Sequence, residues 1–109
     1  MLSPSRLDAV LGAVADPTRR AILDRLAKSA ARVTDLAEPF DISLNAVSKH
    51  LKVLESAGLV RRERQGREHV LSLNAAPLRD VARWASRYER YWTERVDRLE
   101  AFFEEKRKR

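Results

Sequence analysis

Residues 45–60, NAVSKHLKVLESAGLV, predict one amphipathic helix. At about 100° per residue, apolar side chains gather on one side of that helix: Leu44, Val47, Leu51 and Leu54. The opposite side is polar or basic, with no acidic residue before Glu55: it carries Asn45, Ala46, Lys49 and Lys52. Short amides, hydroxyls and ammonium groups without a nearby carboxylate suit a groove lined with phosphates and base edges. An ordinary solvated helix face is the alternative, and the flanking sequence weakens it.

The residues before this helix predict a helix-turn-helix over about 34–57. Ser43 can cap the start of the longer helix, and Gly58 can supply a left-handed residue just after its end. Upstream, VTDLAEPFDI at residues 33–42 allows only a short helix, because Pro39 and Asp41 interrupt it. A short helix, a turn and a longer polar-faced helix form the pattern of a DNA-reading unit.

The residues after the helix predict a basic β-hairpin over about 59–74. LVRRERQGREHVLSLN contains two β-compatible runs around Gln65 and Gly66, a pair suited to a tight turn. Arginines outnumber the two glutamates on this hairpin. Beside a helix-turn-helix, such a hairpin is typical of a wing whose arginines reach phosphates. A solvated surface hairpin, whose charge suppresses edge pairing, is the alternative.

Composition sets wider bounds on the function. A chain of 109 residues with 44% hydrophobic content makes one domain with one modest core. Its net charge of +6 favours a polyanionic partner only weakly. No apolar run comes close to the length of about 20 residues that a membrane-spanning helix needs, and no secretory signal is visible. The absence of cysteine excludes disulfides and thiolate chemistry. We expect a soluble, cytoplasmic protein without a membrane partner.

Two helices are predicted before the helix-turn-helix. Ser3 and Pro4 can open the first, whose apolar residues recur at helical spacing: Leu7, Val10, Leu11 and Val14. Asp16 and Pro17 can cap and open the second. Arg19 and Arg20 lie in its first turn, where they oppose the helix dipole. A phosphate contact and an exposed structural role both remain open for them.

The last segment, residues 77–106, predicts one long helix of about 45 Å, because no proline or glycine follows Pro77. Apolar residues recur along it every seven positions: Leu78, Ala85, Trp92 and Leu99. A second series, interrupted at Arg95, accompanies them: Val81, Tyr88 and Phe102. A monomer of this size covers only part of such a stripe, so the pattern favours a partner helix. Packing on its own domain alone is the alternative, and the terminal KRKR is interpreted as a solvated tail.

Three of these segments together resemble the ArsR-type (ArsR/SmtB) winged helix-turn-helix transcriptional regulators. The matching segments are ADPTRRAILDRLA at 15–27, VSKHLKVLESAGLV at 47–60 and GREHVLSLN at 66–74, in the family's order and spacing. The resemblance implies a mainly α single domain over 1–109 with a small β-hairpin. It also implies a homodimer formed by helices 1 and 5, which binds a short inverted-repeat operator and represses transcription by excluding polymerase.

The resemblance and the helical patterns together define two sets of candidate site residues. The predicted DNA contacts are Ser43, Asn45, Ala46, Ser48, Lys49, His50, Lys52, Arg64, Gln65 and Arg67. The predicted dimer contacts are Leu7, Val10, Leu11, Leu78, Val81, Ala85, Tyr88, Trp92, Leu99 and Phe102. Asn45, Ser48 and Lys49 would meet base edges or nearby phosphates, and Lys52 the backbone. Arg64 and Arg67 would anchor the wing across phosphate or the minor groove.

Metal sensing is the family property that this sequence departs from. Arg32 and Thr34 stand where many relatives carry the cysteines of a metal site, and no histidine follows His69 for the site on the last helix. Soft or imidazole ligation needs cysteine or histidine, so we predict a regulator of the non-metal-sensing kind with no metal and no cofactor. For His50, packing or a backbone hydrogen bond stays as open as a DNA contact, and His69 is interpreted as solvated or stacked.

Functions of other classes fit this sequence less well. No nucleophile–base signature and no glycine-rich phosphate loop is present, so an enzyme is not expected. A protein-interaction module that uses the long aromatic helix is the main alternative, and winged-helix RNA binding is the third. The sequence identifies neither the operator nor a small-molecule effector.

Overall fold

Six α-helices, one 3-10 helix (Glu38–Phe40) and three short strands form the regular structure in the part of the chain that the computed structural model describes, residues 3–108. Met1, Leu2 and Arg109 lie outside it, and with them the ends of the predicted domain and of the KRKR tail. The helices are α1 (Pro4–Val14), α2 (Pro17–Lys28), α3 (Val33–Ala37), α4 (Leu44–Ser56), α5 (Ala76–Ser86) and α6 (Glu89–Lys108). The strands are β1 (Ala31–Arg32), β2 (Val60–Gln65) and β3 (Glu68–Leu73). This order is that of a winged helix-turn-helix, as predicted.

Side-chain caps define where the helices begin, because the first backbone N–H groups of a helix lack internal partners. The Ser3 hydroxyl accepts from the Arg6 N–H, the Asp16 carboxylate from Arg19, and the Ser43 hydroxyl from Ala46. After α4, Gly58 adopts a φ of 77°, the left-handed residue predicted from the sequence. The Asn74 side-chain amide donates to the Gly58 carbonyl at 2.8 Å and so ties the end of α4 to the end of the wing.

The wing belongs to an antiparallel sheet of three strands in the order β1-β3-β2. Strands β2 and β3 form the predicted hairpin, in which Gln65 pairs with Glu68 and Gly66 turns the chain with a φ of 64°. The third strand, β1, was not predicted: Ala31 pairs with Leu71 and Arg32 with Val70. This strand places α3 directly beside the base of the wing.

One apolar core joins α1, α2, α3, α4 and the sheet. Its fully buried side chains come from every one of these elements: Val10, Ile22, Leu36, Val47, Leu51, Leu54, Leu59 and Leu71. Two predictions need correction here. Leu44, assigned to the apolar side of α4, is 51% exposed because it is the first residue of the helix, before the buried side begins. Val10, assigned to the dimer interface, is 0% exposed and belongs to the core of its own protomer.

The C-terminal segment consists of two helices, so the prediction of one continuous helix is wrong. At the break, the N–H groups of Arg87 and Tyr88 bond to carbonyls three residues back, at 3.3 and 3.0 Å, instead of four. The Ser86 hydroxyl donates to the Arg83 carbonyl at 2.7 Å. A serine that bonds to the preceding turn competes with the helical ladder and bends the helix. Beyond the break, none of the residues of α6 is buried.

Within residues 3–108, no helix has both the length and the apolar character that crossing a membrane requires.

Candidate nucleic-acid interface

Helix α4 presents its polar side to solvent over the predicted contact positions. Asn45, Lys49 and Lys52 are exposed, while Ala46 and Ser48 are partly exposed. Because Val47, Leu51 and Leu54 are completely buried on the opposite side, the rotation of the helix about its axis is fixed. The structure therefore brings these candidates together on one surface.

The charge of this surface is positive because its one carboxylate is already paired. Glu55 accepts hydrogen bonds from Arg62 of β2, with an N–O distance of 2.7 Å. Within the part of the chain that the structure describes, Lys49 and Lys52 have no ion-pair partner. The same ion pair joins the wing to the last turn of α4.

His50 lies apart from this surface, although it was predicted as a DNA contact. Its side chain is 24% exposed, and Nδ1 lies 3.4 Å from Nη1 of Arg19 and 3.9 Å from Oδ2 of Asp16. A guanidinium has no acceptor atom, so Nδ1 of His50 accepts this contact. The packing role that the sequence left open is the one that this geometry supports.

The arginines of the wing differ in whether they already have an intramolecular partner. Arg64 turns back on the hairpin, since its Nε donates to the Gly66 carbonyl at 3.1 Å. Arg67 is exposed at the turn and Arg61 is exposed on β2, both without an ion-pair partner among residues 3–108. Gln65 is exposed beside the turn. Arg67 at the turn and Arg61 near the start of β2 are thus exposed cations available to phosphate.

The role of Arg32 beside the wing was not predicted from the sequence. Its guanidinium binds Asp35 at 3.0 Å and Glu68 of β3 at 2.9 Å, so it joins the start of α3 to the wing. The Arg32 side chain lowers the pKa of Asp35, first through its hydrogen bond, and the two carboxylates raise the pKa of Arg32. The Asp35 part of this contact is local in sequence, whereas the Glu68 part appears only once β1 has paired with β3.

Exposed aromatic and aliphatic side chains line α6 and its start: Tyr88, Tyr91, Trp92, Val96, Leu99, Phe102 and Phe103. Trp92 is 64% exposed. The guanidinium of Arg95 lies 4.1 Å from the centre of the Tyr91 ring, and the ammonium of Lys106 lies 4.9 Å from that of Phe102. Arg95 and Lys106 are charged residues within a mostly apolar row, but each of them stacks on an aromatic ring of that row. An apolar surface of this extent on a small domain marks an interaction surface.

No group of three or more histidine, cysteine or acidic residues within residues 3–108 is arranged to hold a metal ion. His50 faces α2, and His69 is exposed on β3 opposite Arg64.

Comparison with known proteins gives consistent matches over this architecture. The helix-turn-helix domain family matches residues 14–63. The transcriptional repressor SdpR of Bacillus subtilis (strain 168) is 38% identical over 78 residues, which are 72% of this chain and 87% of that protein. The crystal structure of an ArsR family transcriptional regulator superposes with a TM-score of 0.77 at 37% identity, covering 84% of this chain and 95% of that one.

A third match is the solution structure of a homodimeric winged helix-turn-helix DNA-binding domain from Mycobacterium bovis, described as a possible ArsR-family transcriptional regulator. It has a TM-score of 0.63 and 29% identity, and the alignment covers 85% of this chain and 83% of that chain.

Proposed function

The chain belongs to the ArsR family of winged helix-turn-helix transcriptional regulators, and on that premise we propose that it is a homodimeric repressor of an inverted-repeat operator. The observation that carries the proposal is the exposed polar surface of α4, whose one carboxylate, Glu55, is paired with Arg62, beside a cationic wing. A two-fold dimer presents two such surfaces, and this symmetry suits a palindromic site. Repression follows when the bound dimer excludes polymerase from the promoter. The family relation points to DNA-binding regulators rather than enzymes.

Helix α4 is the base-reading element of the proposal. Asn45 offers an amide that can bond to adenine, and Lys49 offers an ammonium group for guanine or a nearby phosphate. Ser48 is half-buried and suits a short contact, while Lys52 lies a turn further along and meets the backbone. Ser43 and Ala46 lie at the start of the helix, where the backbone approaches the groove. The exposure of Asn45 and Lys49 supports these roles.

The wing is the phosphate-anchoring element. Arg67 and Arg61 are exposed cations without intramolecular partners among residues 3–108, so a phosphate does not have to displace one. Arg64 and Gln65 flank the same turn. Phosphate contacts of this kind fix the orientation on the duplex and carry no sequence information directly.

The dimer interface of the proposal comprises α1 and the C-terminal helices. Leu7 and Leu11 are half-buried on α1, and Leu78 and Val81 of α5 pack partly on the core. Ala85 and the stripe of Tyr88, Trp92, Leu99 and Phe102 are exposed in one protomer. A second copy covers this stripe, and the homodimeric relative supports that choice of partner.

Regulation by the family's two metal sites is not part of the proposal. Arg32, at one of the positions matching the cysteines, is held by Asp35 and Glu68 and is a cation rather than a ligand. The last helix has no histidine. Any effector of this protein is therefore proposed to be something other than a metal held at these positions.

The test uses the duplex that the protein itself selects from a random library. We expect affinity for this duplex at least about a thousandfold above that for scrambled DNA, and a steep decline of both with salt. Equal affinity for scrambled DNA would contradict the proposal. Preference for the matched RNA would favour RNA binding. Absence of nucleic-acid binding, with a heterologous protein bound through α6, would favour the interaction module that its exposed aromatic stripe allows.

A further inference from the structure

Arg19 connects three elements through its side chain. It lies in the first turn of α2, where its backbone N–H donates to the Asp16 carboxylate at 2.9 Å. Its guanidinium donates from Nε to the Ala13 carbonyl at 2.7 Å and from Nη2 to the Gly12 carbonyl at 3.0 Å. The remaining nitrogen, Nη1, lies 3.4 Å from Nδ1 of His50 on α4. Each guanidinium nitrogen therefore has a partner, and the partners belong to α1 and α4.

The carbonyls at the end of α1 explain why a cation stands there. The last carbonyls of a helix lack intrahelical partners and form the negative end of its dipole. Arg20 performs the same capping task, with Nη1 donating to the carbonyls of Val14 and Ala15 at 2.9 and 3.0 Å. Among residues 3–108, Arg20 makes no hydrogen bond or ion pair with α4, so of the two arginines it is Arg19 that joins the end of α1 to the base-reading helix.

The position of His50 makes this contact relevant to DNA. His50 follows Lys49 directly and lies between the buried residues Val47 and Leu51, near the middle of α4. The planar guanidinium holds its donors in a fixed geometry, unlike a flexible ammonium group. A displacement of His50 relative to the end of α1 would displace Lys49 as well.

We infer that Arg19 is a positioning residue, which holds α4 at a defined distance from α1 and thereby sets the placement of the two base-reading helices in the dimer. The inference rests on the proposed function, since α1 belongs to the proposed interface and α4 to the proposed DNA surface. Base-edge hydrogen bonds depend on the position of the helix, whereas phosphate contacts on random DNA tolerate displacement. Loss of the Arg19 contact therefore lowers discrimination between sequences more than general affinity.

The experiment measures the affinity of five proteins for the duplex selected by the wild type and for scrambled DNA at several salt concentrations. They are the wild type, Arg19→Gln, the matched control Arg20→Gln, and Arg19→Gln combined with His50→Gln; His50→Gln alone completes the cycle. We expect Arg19→Gln to reduce discrimination about tenfold with an unchanged slope of log affinity against log salt. Arg20→Gln, which loses the same charge and similar carbonyl contacts, keeps the discrimination of the wild type.

The double variant is expected to discriminate no worse than the worse of the two single variants, because both remove the same contact. Fully additive losses would overturn the inference, since they indicate that His50 acts on DNA by itself. A salt slope reduced by about 1 in Arg19→Gln would also overturn it, because Arg19 would then contact a phosphate. If Arg19→Gln and Arg20→Gln discriminate equally well between the two DNAs, Arg19 only caps α1, and the inference is overturned.

Two controls separate failures of other kinds. If Arg19→Gln does not fold, Arg19→Lys keeps the charge and a donor for the α1 carbonyls, and we expect it to fold with reduced discrimination; wild-type discrimination would overturn the inference. If the wild type selects no duplex, the proposed function itself fails.

Discussion

At the level of single residues, the side chains of the proposed DNA interface have two roles: those on α4 read bases, and those on the wing anchor phosphates. On α4, Asn45 and Lys49 project from a surface that buried leucines hold in place. On the wing, Arg67 projects from the turn, and Arg64 lies across it with a bond to the Gly66 carbonyl. Neutral amides and cations near a groove carry sequence information, whereas cations near the backbone carry mainly affinity.

Substitution of these side chains should separate base reading from phosphate anchoring. Asn45→Ala or Lys49→Ala should cost about 1–3 kcal/mol on the selected operator and less on random DNA. Arg67→Ala or Arg64→Ala should weaken both DNAs alike and reduce the salt slope by about 1. Titrations on both duplexes at several salt concentrations give the answer. If the wing variants lose discrimination and the helix variants lose only general affinity, the two roles are reversed.

The cap of α2 makes a second residue-scale prediction, about pH. The backbone N–H of Arg19 bonds to the Asp16 carboxylate and holds the pKa of Asp16 below its ordinary value of 3.8. The unfolded chain then binds the proton more readily, so the contribution of Asp16 is fully present above pH 3.8 and is lost as the pH falls through the lower, folded value. Asp16→Asn keeps a capping oxygen without this titration. Its free energy of unfolding should therefore fall less steeply in acid than that of the wild type, as measured by denaturation between neutral pH and pH ~2. Parallel acid profiles would contradict the assignment.

At the scale of elements, local signals placed most boundaries correctly. Serine, aspartate and proline at helix starts and glycine after α4 act within one turn of chain, so their effect is readable from neighbouring residues. The break between α5 and α6 coincides with the hydrogen bond from the Ser86 hydroxyl to the Arg83 carbonyl, and because helices also tolerate serine on exposed surfaces, the sequence did not predict this break.

Contacts between segments far apart in the chain could not be predicted from the sequence patterns. Strand β1 has two residues and exists only because β3 pairs with it. The assignment of Val10 to the interface failed for a related reason. Helical spacing shows that a side of α1 is apolar but not whether the same protomer or another one covers it. The contact between Arg19 and His50 spans two helices and likewise left no trace in the spacing of the residues.

The turn after α4 gives an element-scale prediction with a matched control. Gly58→Ala places a side chain at a φ of 77° and brings Cβ to 3.0 Å from Nη2 of Arg6. We expect a loss of about 1–2 kcal/mol in the free energy of unfolding. Gly12 lies in helix α1, and the Cβ that Gly12→Ala adds meets no atom within 4 Å. This substitution should therefore raise the free energy of unfolding by about 0.5–1 kcal/mol. Denaturation at one fixed protein concentration compares them, and an equal effect of both substitutions would contradict the left-handed requirement at Gly58.

At the scale of the whole molecule, α6 is left uncovered by the rest of residues 3–108. It has no buried residue, although it carries Trp92, Leu99 and Phe102 on one side. Arg95 and Lys106 stack on neighbouring aromatic rings. Their aliphatic stems can therefore cover part of this apolar side while their charged groups stay at its border. The proposed second copy would remove this surface from water, and each buried large side chain then contributes about 1.5–3 kcal/mol.

Truncation of this side should therefore dissociate the dimer. Trp92→Ala combined with Leu99→Ala is expected to lower the mass in sedimentation and to weaken operator binding, because a single half-site gives too little affinity. Val53→Ala is the control, since Val53 is 41% exposed but lies on α4. A stable dimer in the double variant would remove these residues from the interface.

In the proposed complex, two copies of α4 read two halves of one operator. Sedimentation of the complex with the selected duplex, combined with a hydroxyl-radical footprint, tests it most directly. We expect two protomers per duplex and two protected segments about 34–36 Å apart, related by the symmetry of the repeat. One protomer per duplex, or a single protected segment in a complex saturated with protein, would contradict it.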